Sequence, residues 1–96
     1  MLSPKQKAYL KGLAHPLKAC FQIGKEGLGE HLKNDVLNYL AKHELMKISL
    51  LNNTSVSFEE AMSFFEAADI EIVQKIGRVL VLYRPSNTVD QPIVLP

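Results

Sequence analysis

Three glycines and a lysine lie close together where an alternating apolar run gives way to a helical pattern, in the segment IGKEGLGE at residues 23–30. Glycine lets a backbone approach a ligand closely, and the first N–H groups of a helix have no intrahelical partners. A turn of this kind can seat a phosphate group, to which Lys25 would add a positive charge. Glycine also serves many turns for backbone reasons alone, so both interpretations stay open.

Two familiar nucleotide-binding motifs are excluded by the spacing of these residues. The phosphate-binding loop of NTPases needs glycine five residues before its Gly-Lys pair and a hydroxyl residue after it, but these positions hold Ala19 and Glu26. The dinucleotide fingerprint has its two closely spaced glycines first, whereas Gly24, Gly27 and Gly29 have them last. We therefore expect no nucleotide cofactor.

The residues that could support catalysis or hold a metal are scattered along the chain. His15, His31 and His43 are too far apart in the sequence to indicate a metal site, and no nucleophile has a suitably spaced base. The sequence thus predicts neither a metal nor an enzyme. His15 and His43 are interpreted as residues at element ends, whereas His31 lies beside the glycine turn.

Length and composition indicate one folded domain over residues 1–96, because 47% of the residues are hydrophobic. No apolar run reaches the length of a membrane span, and the N-terminus lacks the core of a signal peptide. Cys20 is the single cysteine and has no internal partner for a disulfide. We expect a cytoplasmic protein that does not bind a membrane.

The net charge of +1 conceals an uneven distribution along the chain. Residues 1–33 hold six lysines against two glutamates, residues 34–72 hold two lysines against seven acids, and residues 73–96 hold three cations against Asp90. This asymmetry favours a basic face that would attract a polyanion, although an ordinary solvated surface explains it equally well.

Three helices are predicted from capping signals and apolar spacing. Ser3 followed by Pro4 starts the first, which Pro16 ends. The second runs from Leu28 to about His43. The third starts at a capping box of Ser57 with Glu60 and continues to about residue 68.

Four strands complete the expected order α-β-α-β-α-β-β. Alternating residues predict strands over 17–23 and 45–51, and two more flank Gly77 over 70–76 and 78–84. The uninterrupted apolar run at 79–83 is typical of a strand inside a sheet. The segment from Pro85 to Pro96 either docks at a sheet edge or trails from the domain.

Four segments together resemble one family, the CRM domain (chloroplast RNA splicing and ribosome maturation), in its stand-alone bacterial YhbY-like form. The matching segments are KQKAYLKGLAHPLK at 5–18, IGKEGLGE at 23–30, HELMKISL at 43–50 and IVQKIGRVLVLYRP at 72–85. They cover most of the chain and keep their order, so the chain is identified as a member of this family.

The resemblance implies an α/β two-layer sandwich similar to the C-terminal domain of translation initiation factor three, with a mixed sheet in the order 1-2-4-3. It also implies an RNA-binding domain with a functional Gly-x-x-Gly turn, which here falls on Gly24–Gly27. Stand-alone members are associated with precursor large ribosomal subunits. The expected partner is therefore ribosomal RNA, and the expected role is ribosome assembly.

One departure from the family pattern concerns the start of the second helix. Members usually carry threonine where this chain has Gly29, which caps a helix slightly less well than serine and lacks a hydroxyl. Glu26 also places a negative charge in the turn. The full set of candidate RNA contacts is Gly24, Lys25, Glu26, Gly27, Leu28, Gly29, Lys18, Lys5, Lys7, Lys11, His31, Arg78 and Arg84.

These candidates have ordinary alternatives. A glycine can satisfy a turn, an arginine at a strand end can be solvated, and the tyrosines are expected in the core or at an edge rather than in a stacking platform. A second hypothesis is a protein-interaction module that docks on a ribosomal protein through the acidic middle segment. In either case we expect a monomer that does not bind DNA.

Overall fold

The computed structural model describes residues 2–96. None of the helices in this range has the length and apolar character needed to cross a membrane. The elements, in chain order, are α1 Pro4–Ala14, β1 Phe21–Ile23, α2 Glu30–His43, β2 Leu45–Leu50, α3 Phe58–Ala67, β3 Glu71–Ile76 and β4 Val79–Tyr83.

The four strands form one mixed sheet in the order β1-β2-β4-β3, which confirms the expected topology. β1 runs parallel to β2, as a helical crossover through α2 requires, and β4 is antiparallel to both of its neighbours. The apolar strand β4 therefore lies inside the sheet, as its composition predicts. β1 and β3 are the outer strands.

Capping residues fix where two of the helices begin. Ser57 accepts from the Glu60 N–H at 3.1 Å, and the Glu60 carboxylate accepts from the Ser57 N–H at 2.9 Å. This reciprocal pair confirms the predicted capping box of α3. The structure adds a second box at α1, where Ser3 and Gln6 make the same exchange with Pro4 as the first helical residue.

The larger core lies between the sheet and helices α2 and α3. Leu80 and Leu82 of β4 point toward this side, and both are fully buried. They meet apolar residues of both helices, which recur at helical spacing. The buried members contributed by the helices are Val36, Leu40, Ala61 and Phe65.

Helix α1 covers the other face of the sheet. Val81 and Tyr83 of β4 point toward it and pack with Leu10 and Ala14. Because β4 is buried on both faces, its sequence shows no alternation of apolar and polar residues. Helices α2 and α3 form a layer on one face of the sheet, as expected, and α1 adds a helix on the opposite face.

The first strand is shorter than the alternating pattern over 17–23 predicts. Pairing with β2 starts with the Cys20 N–H, which donates to the Lys47 carbonyl at 3.1 Å, and the strand proper is Phe21–Ile23. The preceding residues follow the end of α1, where the Lys47 ammonium donates to the Leu17 carbonyl at 2.9 Å. The strand prediction was therefore wrong over residues 17–20, because the Leu17 N–H closes the end of α1 by donating to the Ala14 carbonyl at 2.9 Å, and pairing with β2 begins only at Cys20.

The C-terminal segment docks rather than trails. Ile93 and Leu95 pack against the cluster under α1, and the Gln6 side chain donates to the Pro96 carbonyl at 3.3 Å. The buried carboxylate of Glu44 accepts from the Ile93 N–H at 2.6 Å and from the Ser86 N–H at 2.7 Å. The segment thus completes the second core.

Candidate nucleic-acid interface

The glycine turn lies at the end of the sheet where β1 and β2 finish, and it opens onto a groove of about 510 Å³. β1 contributes Phe21 and Gln22 to the groove, and the first turns of α2 contribute its opposite wall. The residues that line it include Gly24, Lys25, Glu26, Gly27, Gly29, His31, Leu32, Asp35 and Leu51. Six of the predicted site residues are therefore brought together here.

Each glycine of the Gly-x-x-Gly turn has a local structural reason. The Gly27 N–H donates to the Gly24 carbonyl at 3.1 Å, and Gly27 has a φ of +71°, in the region that favours glycine. A Cβ on Gly24 would lie 3.3 Å from Leu51 Cδ1, which is tighter than ordinary packing. Both glycines thus shape the turn, and the same absence of side chains leaves its backbone open to a ligand.

The start of α2 faces the groove without a side-chain cap. Gly29 is the N-cap residue with extended backbone, and it offers no acceptor to the N–H groups of the first helical turn. Those N–H groups carry the positive end of the helix dipole. Lys25 is exposed and lines the same groove, so this corner combines backbone donors with a cation.

Leu28 and Glu26 of the glycine turn, and His31 beside it, differ in how far they are exposed at the groove. Leu28 packs against the main core and anchors the loop rather than facing solvent. Glu26 is exposed at the groove, so its carboxylate can turn toward solvent. The His31 side chain is 96% exposed, and its Nε2 lies 3.5 Å from Asp35 Oδ2.

Arg78 lies at the same end of the sheet and holds the end of β2. Its Nε donates to the Leu50 carbonyl at 2.8 Å and its Nη2 to the Leu51 carbonyl at 2.9 Å. The Arg78 carbonyl in turn accepts from the Leu50 N–H at 2.8 Å. Because a guanidinium has five N–H donors, Arg78 can hold this strand end and still offer donors to an anion.

The remaining predicted cations do not gather at the groove. Arg84 follows β4 at the opposite end of the sheet, and its Nε is buried without a hydrogen-bond partner within the described residues. The three α1 lysines belong to the layer on the other face of the sheet, with Lys7 half-buried; they are Lys5, Lys7 and Lys11. Lys18 is exposed in the segment that leads into β1.

The hairpin between β3 and β4 adds a cation that the candidate list lacks. Lys75 Nζ lies 4.4 Å from the centre of the Phe58 ring, and the Arg78 guanidinium carbon lies 5.7 Å from it. Both cations therefore project beside the first turn of α3 near the loop end. The alternating pattern of a β-strand does not indicate this cluster of Lys75, Arg78 and Phe58. The cluster forms only because the hairpin lies against the start of α3.

These features define a small α/β domain with a glycine turn at a helix N-terminus and cations around one end of its sheet. The chain belongs to the CRS1 / YhbY (CRM) domain family, since the family model matches residues 2–84. The match covers every helix and strand of the fold, which confirms the family resemblance seen in the sequence.

Individual relatives agree with this assignment. The chain is 35% identical over 97 residues to a Bacillus subtilis protein named "Probable RNA-binding protein YqeI", and the alignment covers all of both chains. It is 38% identical over 96 residues to a Haemophilus influenzae protein named "RNA-binding protein", covering 99% of this chain and 95% of the relative. The solution structure of the hypothetical protein SAV1595 from Staphylococcus aureus superposes with a TM-score of 0.79 at 41% identity, with full coverage of both chains.

Proposed function

We propose that this protein binds RNA through the Gly24–Gly27 turn, and that its target is ribosomal RNA of precursor large ribosomal subunits during ribosome assembly. The observation that carries the proposal is the uncapped start of α2, which faces an open groove beside the exposed Lys25. Relatives that match the whole chain carry names that state RNA binding. The ribosomal target rests on the likeness to the stand-alone bacterial members of the family.

The chemistry of the groove suits a phosphate rather than a base edge. Backbone N–H groups at a helix N-terminus and a lysine neutralise and orient a phosphate, but they carry no sequence information. The positive φ at residue 27 favours glycine, which leaves this backbone without a Cβ. We therefore expect the turn to contribute affinity for RNA with little preference among base sequences.

Salt dependence separates RNA binding from docking on a ribosomal protein. Each neutralised phosphate releases counterions, so the affinity for RNA should fall steeply as salt rises, whereas an apolar protein interface should not. The measurement is a titration of labelled ribosomal RNA fragments at increasing salt. Affinity that does not change with salt would contradict a phosphate-based interface.

The ribosomal target needs a separate experiment in cells. Ultraviolet crosslinking followed by sequencing of the attached RNA should recover large-subunit ribosomal RNA, enriched in precursor over mature particles after sedimentation. Crosslinks distributed over messenger RNA in proportion to its abundance would contradict the ribosomal target while leaving RNA binding intact. The RNA-binding proposal and the ribosomal proposal can thus fail separately.

A further inference from the structure

A row of side chains continues from the groove along the surface of α2, at the border between its buried and exposed sides. Its members recur every four residues, so each lies next to the following one on the helix surface. The row begins at the groove wall and ends at the last residue of the helix; its members are His31, Asp35, Tyr39 and His43. Over twelve residues the row extends about 18 Å along the helix axis.

Two rings make the second half of the row aromatic, and a third ring from β1 adjoins them. The rings of Tyr39 and His43 are stacked, with centroids 4.2 Å apart and an interplanar angle of 29°. Phe21 of β1 meets the Tyr39 ring edge to face, with centroids 5.7 Å apart. Because Phe21 also lines the groove, the aromatic surface is continuous with the glycine turn.

This side of the molecule is open within the described residues. β1 is an outer strand that pairs only with β2, and Cys20 and His43 are exposed. The Tyr39 ring is half-buried. Burial raises the pKa of its phenol above the ordinary value of 10.0, and a hydrogen bond and an electrostatic interaction with Cys20 raise this pKa further. Tyr39 therefore stays neutral and presents an uncharged ring beside the imidazole of His43.

Two of the carboxylates near the row, Glu30 and Asp35, have a cationic or an imidazole neighbour. Lys33 Nζ lies 2.9 Å from Glu30 Oε1, and His31 Nε2 lies 3.5 Å from Asp35 Oδ2. At the far end, Lys42 and His43 line a hollow together with Asp90. A polyanion that follows the row thus meets Lys25 at one end and Lys42 at the other, both of them exposed.

We propose that this aromatic row, with Phe21, holds unpaired bases of a single-stranded RNA segment whose backbone passes the Gly24–Gly27 turn. The inference rests on the proposed RNA binding and adds the kind of RNA element that is recognised. Stacking on an aromatic side chain accepts any base, so the preference is for unpaired over paired nucleotides rather than for one sequence. Tyr39 and His43 are four residues apart, about 6 Å along the helix axis, which accommodates about two stacked bases at ~3.4 Å each.

The test compares a 16-nucleotide RNA single strand with the same strand annealed to its complement, by fluorescence anisotropy. His43→Ala should weaken binding of the single strand about 5- to 150-fold, the range measured for loss of one stacked base, and change duplex affinity less than about twofold. His15→Ala is the matched control, because His15 is an exposed histidine outside the row. It should leave both affinities unchanged.

Two further substitutions separate stacking from charge. His43→Phe keeps an aromatic face and should restore single-strand affinity to within about threefold of the parent. His43→Lys supplies a cation without a ring and should remain as weak as His43→Ala. Restoration by lysine and not by phenylalanine would overturn the stacking proposal.

Failure of this inference is distinguishable from failure of the proposed function. A parent protein that binds neither form of RNA contradicts both. A parent that binds both forms, with His43→Ala unchanged, contradicts the aromatic row alone. An independent measurement needs no variant: the His43 and Tyr39 ring protons should shift upfield when the single strand is added, and unshifted resonances in a saturated complex would overturn the proposal.

Discussion

A residue with positive φ lies next to each end of α2, and the two residues have opposite roles. Gly27, just before the helix, has a φ of +71°, and Glu44, just after it, has a φ of +64°. At the first end a glycine leaves backbone facing an open groove. At the second end a buried carboxylate accepts from two backbone N–H groups of the C-terminal segment. At the loop end of the sheet the backbone is therefore left open to solvent or a ligand. At the tail end the backbone is bound internally through Glu44, and only the exposed side chains of Lys42 and His43 remain available to a ligand.

The difference extends to the two arginines that bracket β4. Arg78 at the loop end is exposed and retains donors beyond the two carbonyls it binds. Arg84 at the tail end is half-buried, and its backbone N–H donates to the Glu44 carbonyl at 2.9 Å. The two positions look alike in the sequence, but only Arg78 lies at the same end of the sheet as the glycine turn. The following predictions test this division between the two ends.

The largest effect is expected at the tail end. Glu44→Ala removes the acceptor of the Ser86 and Ile93 N–H groups and should lower the free energy of unfolding by about 2 to 3 kcal/mol. Urea denaturation measures this loss. Glu44→Gln keeps one oxygen acceptor, so its free energy of unfolding should fall by less than that of Glu44→Ala.

The same variant also tests the division of roles. Under conditions where Glu44→Ala is still folded, its affinity for duplex RNA, which does not depend on the neighbouring His43, should stay within about twofold of the parent, because the Glu44 carboxylate is buried. A folded variant with greatly weakened duplex binding would place Glu44 and the C-terminal segment it binds in the RNA interface, and would remove the contrast between the two ends.

Substitutions of Gly27 should affect both stability and binding. Gly27→Ala should lower the free energy of unfolding by about 1 to 2 kcal/mol, because φ is positive at this position. Gly27→Asp should lose no more stability than alanine, since aspartate tolerates this conformation better, yet it should weaken RNA binding further through its charge. Urea denaturation ranks the two variants by stability, and titration with RNA ranks them by affinity. Equal binding by the two variants would mean that no phosphate lies near Gly27.

The smallest effect is expected at Gly29. Its backbone is extended and a Cβ there meets nothing within 4 Å, so Gly29→Ser fits without strain. A serine cap should raise stability by a few tenths of a kcal/mol, which corresponds to about 1 to 3 °C in thermal midpoint. A lower midpoint would show that the start of α2 differs from an ordinary uncapped helix.

Much of the fold follows from local signals in the sequence. Ser57 and Glu60 are three residues apart, and Gly29 and Gly77 stand at element boundaries, so capping and turn chemistry locate them. The interior position of β4 follows from its uninterrupted apolar run. Such features depend on neighbours within a few residues.

The features that escaped prediction depend on distant residues. The alternation at 17–20 resembles a strand, but Lys47 binds the end of α1 and pairing starts only at Cys20. Docking of the C-terminal segment relies on Glu44, 49 residues before Ile93. The stacked pair of Tyr39 and His43 is four residues apart, so helical spacing could have indicated it, but only the position of Phe21 shows its continuity with the groove.

The most direct test of the central claim is the salt dependence of RNA binding by Lys25→Ala. An exposed loop lysine contributes little to folding, so the thermal midpoint should match that of the parent. If Lys25 neutralises one phosphate, the variant should bind more weakly, and the slope of log K against log salt should fall by about 0.7 to 0.9. The control Lys25→Arg should keep the parental slope. A Lys25→Ala variant with the parental affinity and slope would contradict the account, and the RNA surface would then have to be sought on α1 with Lys5, Lys7 and Lys11.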